Sequence, residues 1–185
     1  MPETIVILAA RRTPIGSFQG ALSAVSAPQL GAAAARAALA DAGVSGDAIE
    51  EVIFGCVLPA GLGQAPARQA ALAAGLAQSV PATTVNKMCG SGMKALMIAS
   101  DQILAGHARL ALAGGLESMS NAPYLLLKAR AGYRMGHSEL IDHMFYDGLQ
   151  SPWDGQAMGC FAEATAEKYG FTRAAQDAFA AESVR

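Results

Sequence analysis

Short, continuously apolar runs recur along this chain between longer stretches with helical spacing, and few folds accommodate such a pattern. Thr4-Ile5-Val6-Ile7-Leu8-Ala9, Val52-Ile53-Phe54-Gly55-Cys56-Val57, residues 83–86 and Arg109-Leu110-Ala111-Leu112-Ala113 read as strands. Runs without polar alternation suit strands covered on both faces. Between the first two, Ser26 is placed to cap a helix carrying Leu30, Ala33, Ala34, Ala37 and Ala38 along one side, and Gly43 stops it. Pro66 to Ala74 reads as a short helix and residues 91–105 as a longer one. Strands that alternate with helices pair in parallel through crossovers. The expected class is therefore α/β, a layered fold with a mainly parallel sheet and helices on both faces.

Within the 91–105 helix, Ala95-Leu96-Met97-Ile98-Ala99 is apolar at consecutive positions, which predicts burial on every side. After Gly114-Gly115 the pattern changes. Residues 124–149 mix Arg, His, Gly, Met and aromatics without a clean period, as an excursion from a core domain does. Ala162 to Tyr169 reads as a helix ended by Gly170, and Thr172 caps another. The expected organisation is a core domain over 1–118 and the start of an inserted loop and helical subdomain over 119–185. Because the last helix meets no stop signal before Arg185, the chain reads as part of a longer protein.

Composition narrows the function classes. Three cysteines in 185 residues, Cys56, Cys89 and Cys160, argue against a disulfide framework and for a reducing, cytoplasmic setting. A net charge of -2 leaves no electrostatic footprint for nucleic acid. No run of about 18 apolar residues suggests a membrane span, and no metal site is expected. Hydrophobic residues make up 52% of the chain, with 20 glycines besides, so it is expected to bury more than its own core.

The chemistry centres on Met88-Cys89-Gly90-Ser91-Gly92, between a strand and a helix. The first amides of a helix have no intrahelical acceptors and carry partial positive charge, which favours a thiolate beside them. Gly90 and Gly92 leave a substrate's approach open. The plain alternative is that Cys89 is a small buried hydrophobe. A second class also fits: Gly90-Ser91-Gly92-Met93-Lys94-Ala95 matches a dinucleotide-binding loop, with Glu117 further on. Against this nucleotide-binding module stand its place after the third strand, the preceding cysteine and the polar Asn86-Lys87. A non-catalytic scaffold is a third reading, in which all three thiols react slowly and alike.

Three ordered segments carry a family resemblance. Arg12-Thr13-Pro14-Ile15-Gly16 with Phe18 and Gly20, Val85 to Ala95 around Cys89, and Gly114-Gly115-Leu116-Glu117-Ser118-Met119-Ser120-Asn121-Ala122-Pro123 resemble the thiolases, in their acetyl-CoA acetyltransferase branch. The likeness extends over the chain but covers only the family's first half. It implies a thiolase-like layered fold in which Cys89 attacks an acyl-CoA thioester, with the Cys89 amide as an oxyanion donor. Two acetyl-CoA would condense to acetoacetyl-CoA, and thiolysis is the reverse. No cofactor is implied, coenzyme A entering as the substrate thioester.

A second α/β half would supply a Gly-His-Pro histidine, an oxyanion-hole Asn and a second cysteine, so the 185 residues alone are expected to be inactive. The resemblance also places Leu149 and Met158 at the pantetheine pocket, although Ala157 stands where many members have His. It implies a homodimer or homotetramer assembled through residues 124–143. Of the histidines, His107 is expected to be structural, and His137 and His143 surface residues or substrate contacts. Cys56 and Cys160 are expected to serve packing, and Glu117 to be a satisfied structural carboxylate.

Overall fold

The run around Ile53 becomes the central strand. In the computed structural model, which describes residues 4–184, β1 (Glu51–Gly55) pairs in parallel with β2 (Ala82–Val85) on one side and β3 (Ala111–Gly115) on the other. The chain visits β1, then β2, then returns past β1 to β3. That reversal sends crossovers of one hand to opposite faces of the sheet. α1 (Ala27–Ala42) and α2 (Pro66–Ala73) cover one face and α3 (Ser91–Leu104) the other.

Strand alternation divides β1 between these layers. Val52, Phe54 and Cys56 pack with α1 and α2, whereas Ile53 packs with Ala95 and Ala99 of α3. Gly55 shares the face of Ile53. A Cβ there would lie 2.5 Å from both the carbonyl carbon and the Cβ of Ser91, so only glycine lets the first turn of α3 settle on the strand. At the opposite ends of the strands, Glu50 accepts the Arg109 N–H at 2.6 Å and its guanidinium at 2.7 Å. The Arg109 backbone and side-chain bonds hold the Glu50 carboxyl below its ordinary range.

The expected α/β class and parallel sheet are present, and three details differ from expectation. Residues 4–9 form no strand, and Val6, Ile7 and Leu8 are exposed. A β-branched run makes a strand only beside a partner edge, and none is paired to it among the described residues. In α1, capped by Ser26 and closed by Gly43 at φ +63, the buried side is Gly31, Ala32, Ala35 and Leu39. The orientation follows a notch, since a Cβ on Gly31 would lie 2.8 Å from Leu116 Cδ2. An alanine-rich helix does not announce such a notch. Finally, α3 is not buried all round. Ala95 and Ala99 face the sheet, and Met93, Leu96, Met97 and Leu104 are exposed within this chain.

The chain divides into two compact units, one running to Met144 and one starting at Phe145. In the first, the expected irregular stretch carries a two-residue ladder, β4 (Tyr124–Leu125) antiparallel to β5 (Ile141–Asp142). In the second, α4 (Met158–Tyr169) ends at Gly170 with φ +67. α5 (Arg173–Ser183) starts at Thr172, whose Oγ1 accepts the Ala175 N–H at 3.2 Å. Among the described residues no helix is long and apolar enough to cross a membrane.

Gly55→Ala puts a methyl group into backbone that cannot yield without moving α3. Urea denaturation is expected to show a loss of about 1–3 kcal/mol, the usual cost of overpacking a filled site. An unchanged midpoint would show that α3 does not rest on β1.

Candidate active site

The carboxyl ends of β2, β1 and β3 lie in register at Val85, Gly55 and Gly115. Beyond the carboxyl ends of parallel strands is where open α/β sheets hold ligands. Here a cavity of about 280 Å³ opens, lined by Gly55, Val57, Met88, Cys89, Ser91, Gly92, Gly115, Leu116 and Glu117. Cys89 is exposed at this cavity, in the turn between β2 and α3. It is not a packing cysteine.

The turn is built by local hydrogen bonds. Met88 adopts a left-handed backbone at φ +50, a conformation that costs a non-glycine residue roughly 1–3 kcal/mol unless its surroundings hold it. They do. The Met88 N–H donates to Asn86 Oδ1 at 2.9 Å, and its carbonyl accepts the Ser91 hydroxyl at 2.6 Å and the Ser91 N–H at 2.9 Å. Ser91 Oγ also accepts the Lys87 N–H at 2.8 Å. Gly90 is the N-cap of α3, its carbonyl accepting the Lys94 N–H at 2.9 Å. Cys89 therefore stands one residue ahead of the N-cap, where the helix begins, as the spacing predicts.

Glu117 forms the opposite wall. Its Oε2 accepts the Val57 N–H at 2.7 Å, its Oε1 accepts the Leu58 N–H at 2.9 Å, and the Cys56 thiol lies 3.6 Å from Oε1. The carboxylate thus ties the segment after β1 to the segment after β3, in keeping with the structural role expected of it. Cys56 is 1% exposed. Burial, then the nearby Glu117 charge and hydrogen bond, push its thiol up to about 12. Cys160 departs from expectation: it lies near the start of α4 with its side chain exposed rather than packed.

His107 and His137 are exposed. His143 is buried, its Nε2 accepting the Ala60 N–H at 3.4 Å and its own N–H donating to the Pro123 carbonyl. It is not a surface residue, because the β4–β5 ladder carries it inward. Leu149 and Met158 belong to the second unit, beside the antiparallel bridge that pairs Gln150 with Ala157. Leu149 is half-buried and Met158 exposed. Among the described residues, no group of His, Cys, Asp or Glu is placed to hold a metal.

The Gly90-Ser91-Gly92 segment serves packing, not open approach to a phosphate. Ser91 is buried against Gly55, and Gly92 and Gly115 meet backbone to backbone. Ser91 and Gly55 are the parts of the site that the sequence reading passed over. A glycine interrupting a β-branched strand and a serine opening a helix were the available signals.

The profile of the thiolase N-terminal domain matches residues 5–185. An acetyl-CoA acetyltransferase of Pseudomonas aeruginosa is 53% identical over 98% of this chain and 46% of its own length. One of Cupriavidus necator is 52% identical over 95% of this chain and 45% of its own length. A mitochondrial acetyl-CoA acetyltransferase of Xenopus tropicalis is 49% identical over 97% of this chain and 42% of its own length. The chain thus spans about half the length of these relatives. With the match running from residue 5 to residue 185 and the three signature segments gathered in it, the chain belongs to the thiolase family.

Proposed function

We propose that this chain is the nucleophile-bearing half of an acetyl-CoA acetyltransferase, and that Cys89 carries the acyl group. The observation that carries the reading is the exposed Cys89 at a cavity beyond the carboxyl ends of the parallel strands, in the turn that leads into α3. The Cys89 thiolate attacks the carbonyl carbon of acetyl-CoA, and the tetrahedral intermediate expels CoA thiolate, leaving acetyl-Cys89. A second acetyl-CoA, deprotonated at its α-carbon, attacks that acetyl group. Acetoacetyl-CoA leaves and the Cys89 thiolate is restored. Splitting the reaction at a covalent intermediate is what a cysteine nucleophile contributes. A backbone donor such as the Cys89 N–H, aimed at the developing oxyanion, typically lowers the barrier by roughly 3–4 kcal/mol.

Under this reading residues 1–118 form the catalytic core, and 119–185 begin the subdomain in which Leu149 and Met158 contact the pantetheine arm. Residues 124–143 serve assembly into a dimer or tetramer. The base that activates Cys89 and the second substrate comes from the C-terminal half. That half also covers the apolar side of α3, where Met93, Leu96 and Met97 are exposed in this chain. Cytoplasmic placement rests on the unpaired thiols.

Incubation of the full-length protein with acetyl-CoA, followed by peptide mapping, is expected to place one acetyl group on Cys89. Cys160 and the buried Cys56, its thiol pushed up to about 12, stay unacylated. Cys89→Ser abolishes the label, and acetylation that survives this change would overturn the reading. Residues 1–185 alone are expected to give no acetoacetyl-CoA, and addition of the C-terminal half restores it. Turnover by the 185 residues alone would remove the need for a base from elsewhere.

A further inference from the structure

Ser91 is 4% exposed, and its hydroxyl is committed on both sides. It donates to the Met88 carbonyl at 2.6 Å and accepts the Lys87 N–H at 2.8 Å. Its own N–H donates to the same Met88 carbonyl at 2.9 Å. The Met88 carbonyl and the Cys89 N–H belong to one peptide group. A trans peptide is planar, so its C=O and N–H point in opposite directions. Whatever fixes the Met88 carbonyl therefore also aims the Cys89 N–H.

Met88 does not supply that orientation unaided. At φ +50 it occupies a region disfavoured for side chains with a Cβ. Released from its partners, it relaxes toward negative φ and the following peptide plane turns with it. Ser91 cannot drift to follow, because its backbone and Cβ lie against Gly55, where no side chain intervenes. The hydroxyl is thus anchored to the sheet on one side and grips the strained turn on the other.

We propose that Ser91 is a positioning residue for acyl transfer: through the Met88 carbonyl its hydroxyl holds the Cys89 peptide plane so that the Cys89 N–H faces the oxyanion of the tetrahedral intermediate. The proposal rests on the reading of Cys89 as the acylated nucleophile. It goes beyond that reading by assigning the aim of the donor to a buried side chain whose hydroxyl is committed to the Met88 carbonyl and the Lys87 N–H.

Two reactions of the same sulfur separate aim from placement. Acetyl transfer from acetyl-CoA develops an oxyanion at the attacked carbonyl. Displacement of iodide from iodoacetamide does not. In the full-length protein, Ser91→Ala is expected to slow acetylation of Cys89 by about 10- to 100-fold, short of the full loss of an oxyanion donor. Its alkylation rate stays within about threefold of the parent, and the acetyl-CoA concentration giving half-maximal rate changes little. Ser91→Thr keeps the hydroxyl, so its ratio of acetylation to alkylation stays within about threefold of the parent even if the added methyl group disturbs both rates. That ratio carries the test should Ser91→Ala not fold. Equal falls in both reactions of Ser91→Ala would reduce Ser91 to a packing residue and overturn the proposal. So would unchanged acetylation in Ser91→Ala, or a ratio that collapses in Ser91→Thr. Absence of acetylation in the parent protein is a different failure, one that removes the acyl-Cys89 reading itself.

Discussion

The contact between Gly55 and the first turn of α3 governs the rest of the site. Strand and helix backbones approach there so closely that even a methyl group at residue 55 has no room. The alternation along β1 assigns residue 55 to the α3 face, and the register of the sheet places it level with Val85 and Gly115. Those are the strand ends, where a cavity can open. The strand-end position and the closeness of α3 together bring the turn containing Cys89 to the cavity rather than above it. The thiol is exposed while Ser91, two residues on, is buried against Gly55.

Much of this frame was legible in the residues. The buried strand around Ile53, the helix after Gly90, the cap at Ser26 and the stops at Gly43 and Gly170 stand where spacing and end signals place them. Each depends on local chemistry: an N-cap oxygen, a left-handed glycine, or a period-2 or period-3.6 pattern. The departures depend on partners that local pattern cannot name. Residues 4–9 have the composition of a strand and no paired edge. α1 offers alanine on every side, and the notch at Gly31 that takes Leu116 selects the buried one.

The site divides along the same line. Cys89 could be picked out because a cysteine among glycines at a strand-to-helix junction is a local signal. His143 could not be placed, because its burial depends on a ladder of two residues per strand and an amide of Ala60, 83 positions away. In the sequence Ser91 is one letter of a glycine-rich loop. The role proposed for it rests on hydrogen bonds across a left-handed residue, and Met88 gives no sequence sign of that conformation. Glycine or asparagine there would have advertised it. A methionine hides it.

Under the proposed function, Glu117 is the reason the cavity offers Cys89 no base of its own. Among the described residues lining it, Glu117 is the only titratable side chain besides Cys89. Its oxygens already receive the Val57 and Leu58 amides and the Cys56 thiol. To carry a proton it would have to release donors that join the ends of β1 and β3, and that join maintains the cavity wall. A carboxylate so engaged is a tie and not a shuttle. The cavity thus exposes a sulfur and fixes the neighbouring peptide, which under the proposed function is half of a catalytic act. Under the proposed function, proton transfer belongs to residues of the other half, which can reach Cys89 only from the open side. The opposite side is closed by the packing of Gly55 and Gly115 against Ser91 and Gly92 in the first turn of α3.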